Sequence, residues 1–296
     1  MVDDIPEEEY LYKGNTSCAG CSAMLALRYI LKAAGPNTII VNPACCSTVC
    51  QGSYPRTAYG VPVLNIAFAA AAAAADGIAS AKRNKGKNII VFAGDGGTVD
   101  IGIQSLSGAI ERNANILYVC YDNEAYSNTG MQKSGSTPLG AITTTTPTGR
   151  KDSKKDIDLI IMAHRPQYMA SACAAYPKDL YGKVHKALGI EGTKFIHVLC
   201  PCPPGWRYAT EKSVELGKLA VKTGMWFLYE YENGKITLNA PTKAALKRPA
   251  PLAEYLKPQG RFKGADIERM EKEVKESMGR ISEMTERSER SREAAQ

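Results

Sequence analysis

The sequence predicts an α/β protein with a doubly wound, mostly parallel sheet, and three observations predict it. Apolar runs of strand length, at 89–93, 116–121 and 194–199, alternate with segments whose apolar residues recur every three or four positions. Each run stops at turn formers: Gly94-Asp95-Gly96-Gly97, Asp122-Asn123 and Cys200-Pro201-Cys202-Pro203. The chain is also long enough to bury a substantial core, with 296 residues, 44% hydrophobic and 23% charged.

The first predicted helix follows Thr16-Ser17-Cys18-Ala19-Gly20-Cys21. Met24, Leu25, Leu27, Ile30 and Leu31 supply its apolar face and Gly35-Pro36 stops it. A β-branched strand at 38–41 leads into the turn-rich segment Asn42-Pro43-Ala44-Cys45-Cys46-Ser47. Residues 61–83, rich in alanine, read as one helix with little bulk. The strand at 89–93, its glycine turn and a helix with Ile101, Ile103, Leu106 and Ile110 on one face come next, then the strand at 116–121. After a threonine-rich loop at 143–147, helix (157–162), strand (168–170), helix (176–188) and strand (194–199) extend the pattern.

Consecutive prolines make 200–206 another loop at the carboxyl edge. A helix at 210–223 precedes strands around 225–231 and 235–238, with Asn233-Gly234 as their hairpin turn. Apolar density then falls at Pro249, Pro251 and Pro258. The last segment, 266–292, is charged but carries Ile267, Met270, Val274, Met278, Ile281 and Met284 at helical spacing. That stripe suits docking on a partner subunit, with a frayed surface helix as the alternative, and the chain divides into residues 1–260 and a C-terminal helix within 261–296.

Composition narrows the function. The net charge of +7 is modest and spread out, and no aromatic residues interleave with a basic patch, so nucleic-acid binding has little support. No segment carries the roughly 20 uninterrupted apolar residues of a membrane span. The acidic start Met1-Val2-Asp3-Asp4 lacks the basic and apolar regions of a signal peptide, and a cytoplasmic location is expected. In a reducing compartment the nine cysteines point to metal, redox chemistry or burial rather than to disulfides.

Parallel strands ending at 94 and 122 deliver Asp95 and Asn123 to one carboxyl edge, where they can share a hard cation. Mg2+ sits between one or two protein oxygens and substrate phosphates. Asp95 supplies charge, Asn123 a neutral oxygen, and Gly94, Gly96 and Gly97 let backbone approach a diphosphate. An ordinary doubly wound turn would also carry such glycines.

Cys18, Cys21, Cys46 and Cys202 fall in loops that the sheet brings to the same edge. Four thiolates suit a [4Fe–4S] cluster or a tetrahedral zinc, and ligand type alone does not separate them. A thioredoxin-like pair at Cys18 and Cys21 lacks its strand context. Cys120 and Cys173 read as buried small hydrophobes, and His164, His185 and His197 as structural.

Gly-Asp-Gly, a helix, a strand and then Asp-Asn resembles the thiamine diphosphate signature. The continuation Asn123-Glu124-Ala125-Tyr126-Ser127-Asn128-Thr129-Gly130 resembles the beta subunits of pyruvate-type 2-oxoacid:ferredoxin oxidoreductases, and the likeness runs to about Gly260. It implies the thiamine-diphosphate-binding fold, with Mg2+ held by Asp95, Asn123 and the Ala125 carbonyl, and Asn128 bonded to substrate. Cys18-Ala-Gly-Cys21, Cys46-Ser and Pro201-Cys202-Pro resemble the ligands of the family's [4Fe–4S] cluster. Cys45, Cys50 and Cys200 stand where the family pattern more often has other residues.

The implied reaction is 2-oxoacid, coenzyme A and oxidised ferredoxin giving acyl-CoA, CO2 and reduced ferredoxin, with pyruvate the default. Oxalate, an aryl glyoxylate or a branched 2-oxoacid are alternatives. Alpha, gamma and delta-type subunits are the implied partners. The glutamate that activates the cofactor belongs to one of them, so this chain is expected to be inactive alone. A non-redox thiamine-dependent enzyme with structural zinc, and a non-catalytic assembly subunit, are the competing readings.

Overall fold

Strand-length runs in one chain pair with each other because each leaves backbone donors and acceptors that a neighbour must satisfy. The structure, a computed structural model, describes residues 5–293, and the acidic start from which a cytoplasmic location is expected lies outside the described residues. Chain order begins α1 (Ser22–Ala34), β1 (Thr38–Pro43), α2 (Cys46–Gln51), β2 (Val63–Ile66), α3 (Ala71–Ser80) and β3 (Asn88–Gly94). It continues with α4 (Ile103–Glu111), β4 (Leu117–Asp122), α5 (Ile157–Ala163), β5 (Tyr168–Cys173), α6 (Pro177–Leu188) and β6 (Lys194–Leu199). The C-terminal third holds α7 (Pro203–Trp206), α8 (Ser213–Lys222), β7 (Tyr229–Glu232), β8 (Lys235–Leu238), α9 (Ala240–Lys247), α10 (Leu252–Leu256) and α11 (Ile267–Glu293).

The eight strands form one sheet in the order β2-β1-β3-β4-β6-β5-β7-β8. Strands β1 to β6 are parallel and the β7–β8 hairpin is antiparallel, so the sheet belongs to the predicted class. Helices cover both faces, which is why β3, β4 and β6 read as continuous apolar runs. Their side chains alternate between two cores. Ile90, Phe92, Val119 and Tyr121 pack with α1 and α6, whereas Val91, Ala93, Tyr118 and Cys120 pack with α3 and α4. The chain leaves β1 toward β2 but passes from β3 to β4 in the opposite direction, so the strand order reverses between β1 and β3. Open α/β sheets bind their ligands at such a switch point.

Four expectations are corrected. Residues 61–83 are not one helix: residues 63–66 form β2, pairing Ile40 with Val63 and Asn42 with Asn65 before α3 starts at Ala71. The open edge of β1 supplies hydrogen bonds that override the local alanine preference, and the half-exposed β2 suits an edge. The segment after Asn42 closes into α2 instead of remaining a turn. The glycine turn after β3 opens into a π-helical turn, Gly96–Asp100, which leaves Ile101 47% exposed rather than in the core. Gly102 makes this possible, since a Cβ there would lie 1.9 Å from Gly97 O.

The fourth correction concerns the C-terminal stripe. Helix α11 runs unbroken through Gly279, and most of its apolar residues pack within this chain, while Ile267 is exposed. Met270 joins a third core with Trp206, Tyr255 and Phe262, and Ile281 packs on Tyr229, Ile236 and Leu238. Ile236 N donates to Ser288 Oγ at 3.1 Å, which ties the helix to the outer edge of β8. At the hairpin, Asn233 (φ 50°) and Gly234 (φ 76°) form the expected turn. No helix among the described residues is long and apolar enough to cross a membrane.

Candidate active site

The β3–β4 register, with Gly94 opposite Tyr121, sets Asp95 beside the 122–123 pair at the carboxyl edge. Asp95 is 1% exposed. Its Oδ2 accepts a hydrogen bond from Ser134 Oγ, and among the described residues no cationic side chain pairs with it. Burial, and then the neighbouring Asp122 charge, push its carboxyl well above the usual range. Asp122 is equally buried, and burial alone would raise it. The hydrogen bond and charge of His197, with Lys154, instead hold it low. Of the two adjacent carboxyl groups, Asp122 has cationic partners and, among the described residues, Asp95 has none.

Asn123 Oδ1 accepts from Ala125 N at 3.2 Å and from Ser127 Oγ at 3.0 Å, while the Ala125 carbonyl accepts from Ser127 N at 2.9 Å. Both oxygens therefore face a tight local turn. Gly96 permits it, because a Cβ there would lie 2.3 Å from the Tyr126 ring. Gly94 and Gly97 likewise admit the rings of Tyr121 and Phe68. Asn128 lies just beyond, exposed.

The cysteines converge from three loops. Cys21 precedes α1, Cys46 opens α2 and Cys202 precedes α7, with Cys18 exposed one turn before Cys21. Burial pushes the Cys46 thiol up to about 12, and the charges of Cys202, Cys45, Cys21 and Cys18 add to the effect. The four predicted thiols thus sit within electrostatic reach of one another. A hydrogen bond from Cys50, the largest influence, brings Cys21 down to about 7. Cys45 Sγ contacts Pro43 O at 2.8 Å and Ser47 Oγ at 2.9 Å, and Cys200 is buried. Among the described residues no three His, Cys, Asp or Glu side chains gather closely enough for a single metal ion.

A profile of the thiamine pyrophosphate enzyme family, for its C-terminal TPP-binding domain, matches residues 19–198. The chain belongs to this family. It is 47% identical over 298 residues to the ketoisovalerate oxidoreductase subunit VorB of Pyrococcus furiosus, covering 95% of each chain. It is also 49% identical over 294 residues to the pyruvate synthase subunit PorB of Methanocaldococcus jannaschii, covering 93% of this chain and 97% of that one. Among solved structures, a 2-oxoglutarate:ferredoxin oxidoreductase from Magnetococcus marinus, with 2-oxoglutarate, coenzyme A and succinyl-CoA bound, superposes with a TM-score of 0.60. It shares 21% identity over 74% of this chain and 81% of that one, a likeness of fold.

The residues present fit the thiamine pyrophosphate group of this family. What supports the fit is the buried Asp95 carboxyl, without a cationic partner among the described residues, at the sheet edge that also carries the Asn123 and Ala125 oxygens. Several supporting residues carry no motif of their own. Ser134 bonds Asp95, and Arg150 holds the Ser134 turn through the carbonyls of Ser134 and Gly135 at 3.2 and 3.0 Å. His197 bridges Asp122 at 2.9 Å and Asp158 at 2.7 Å. Glu124 lies inside the recognised motif and Trp206 in the loop after Cys202, yet spacing does not disclose what they touch.

Proposed function

We propose that the chain is the beta-type subunit of a 2-oxoacid:ferredoxin oxidoreductase, binding thiamine diphosphate, Mg2+ and one [4Fe–4S] cluster. The observation that carries this reading is the meeting, at one sheet edge, of a buried carboxyl group without a cationic partner among the described residues and the loops that carry Cys18, Cys21, Cys46 and Cys202. Asp95, Asn123 and the Ala125 carbonyl would hold Mg2+, with Gly94, Gly96 and Gly97 toward the diphosphate. Cys18, Cys21, Cys46 and Cys202 would hold the cluster. Thiamine diphosphate, when bound, supplies the electron sink for decarboxylation, and a cluster beside it supplies a one-electron route to ferredoxin.

The protein's part is to bind and orient. Asp95 neutralises the cation in a site where burial strengthens the attraction. The Asn123 turn would present two neutral oxygens, and the exposed Asn128 would hydrogen-bond the 2-oxoacid. Alpha, gamma and delta-type subunits would complete the site and supply the acid that activates the cofactor, with coenzyme A and ferredoxin as co-substrates, in the cytoplasm. Residues 1–260 would form the cofactor-binding part, with the exposed side of α11 available to a neighbouring subunit. Pyruvate is the default substrate. A branched 2-oxoacid is favoured equally by relatives, since those named for ketoisovalerate and for pyruvate are 47% and 49% identical.

The test is anaerobic purification of the co-expressed complex, with iron, sulfide and zinc analysis of wild type and Cys46→Ser. About four iron and four sulfide assigned to this subunit and lost in the variant are expected. Stoichiometric zinc without sulfide would overturn the redox reading and leave a non-redox thiamine enzyme.

A further inference from the structure

The metal turn and the cysteine loop are joined by side chains to which the proposed function gives no role. Glu124, between Asn123 and Ala125, has φ +62°. A non-glycine residue holds that left-handed conformation only where its surroundings fix it. Here the turn's backbone is held by several specific hydrogen bonds. Glu124 N donates to Asp122 Oδ1 at 2.7 Å, and Thr137 Oγ1 donates to Glu124 O at 2.7 Å. Trp206 Nε1 donates to Asn123 O at 2.7 Å.

Trp206 belongs to the cysteine loop. Its own N–H donates to Cys202 O at 2.8 Å, so the indole and Cys202 form one helical turn. Arg261 closes the link. Its guanidinium lies 3.7 Å from the centre of the Trp206 ring, and Nη2 is 2.7 Å from Glu124 Oε2, an ion pair without the alignment of a hydrogen bond. Arg261 and Glu124 are each 2% exposed, a setting in which cation–π and ionic contacts gain strength. Gln259 Oε1 at 2.8 Å and the Tyr255 hydroxyl at 3.1 Å hold the guanidinium from behind.

We infer that Trp206 and Arg261 are positioning residues that fix the 123–125 metal turn relative to Cys202, so that the state of one loop is felt at the other. Glu124 paired with Arg261, and Arg261 stacked on the indole, leave neither loop free to shift without breaking a desolvated contact. This rests on the proposed cofactor and cluster assignments, and predicts that Mg2+ and thiamine diphosphate binding alters the cluster's surroundings through these two side chains.

The test uses the anaerobically purified complex carrying Trp206→Phe, Arg261→Lys or Arg261→Gln. Trp206→Phe removes the indole N–H and keeps a ring, whereas Arg261→Lys keeps charge and loses the planar stack. The readouts are iron content, melting temperature, thiamine diphosphate affinity in Mg2+, and the cluster's EPR spectrum and midpoint potential with and without the cofactor. Trp206→Phe should keep its iron, lose some melting temperature because a buried side chain shrinks, bind cofactor roughly five- to tenfold more weakly, and lose the cofactor-dependent change in the spectrum. Leu216→Ala, which shrinks the same core, should instead lower the melting temperature and keep both cofactor binding and the spectral change. Arg261→Lys should recover part of what Arg261→Gln loses. Wild-type affinity and spectral response in Trp206→Phe and Arg261→Gln would overturn the inference, as would losses that only track a fall in melting temperature. If the wild-type complex holds no cluster or no thiamine diphosphate, the functional reading fails and this inference falls with it. If wild type holds both and the variants match it, this inference alone fails.

Discussion

Asp95 concentrates the site's electrostatics in one side chain. Its carboxylate is buried beside Asp122, but the partners that quiet Asp122, His197 and Lys154, do not reach it. Replacing it with asparagine removes charge and keeps shape. Asp95→Asn should therefore leave the cofactor-free protein as stable or more stable, by about 1 kcal/mol, because burial already disfavours the charged form of this carboxyl and the amide carries no charge. Mg2+-dependent binding of thiamine diphosphate should fall about a hundredfold or more, since an inner ligand is lost. Calorimetric titration and thermal unfolding of the same preparation check both halves, and undiminished binding would remove Asp95 from the metal site.

At the level of elements, the turn between β3 and α4 depends on glycine where backbone meets backbone. A Cβ at Gly102 would sit 1.9 Å from Gly97 O, a contact with no flexible side chain to yield. Gly102→Ala should cost about 2 kcal/mol or more and displace the Asp95 turn, read as a lower denaturation midpoint together with weaker cofactor binding. A midpoint equal to wild type would show that the π-helical turn can relax into an ordinary helix. Legibility differed among elements for physical reasons. β3, β4 and β6 were readable because burial on both faces demands unbroken apolar runs, and their turn residues announced Asp95 and Asn123. β2 was not, because its pairing with β1 comes from across the sheet, while the alanines after it speak only for helix. Ser134, Arg261 and His197 escaped for a related reason: each reaches the site from a different stretch of chain, and no spacing records that meeting. The apolar stripe of α11 was legible as a stripe, but nothing in its period distinguishes a partner's surface from its own.

For the whole molecule, the sheet is built so that chemistry and termination lie apart. The carboxyl edge carries the turns of Asp95 and Asn123 and the cysteine loops, while the last strand, β8, is closed off by α11 through Ile236, Ile281 and the Ser288 hydroxyl. Deleting residues 266–296 should expose that strand and the apolar residues beneath the helix. Concentration-dependent association in light scattering, with a lower melting temperature, is the expected result, and a monodisperse truncated chain would show that β8 tolerates water unaided. At the opposite margin β2 is only four residues long and half exposed, too short a template to recruit another strand. A protein of this kind is a tile with finished sides: any neighbour would meet it through loops and helices, leaving each backbone ladder intact, and could be exchanged without unravelling the sheet.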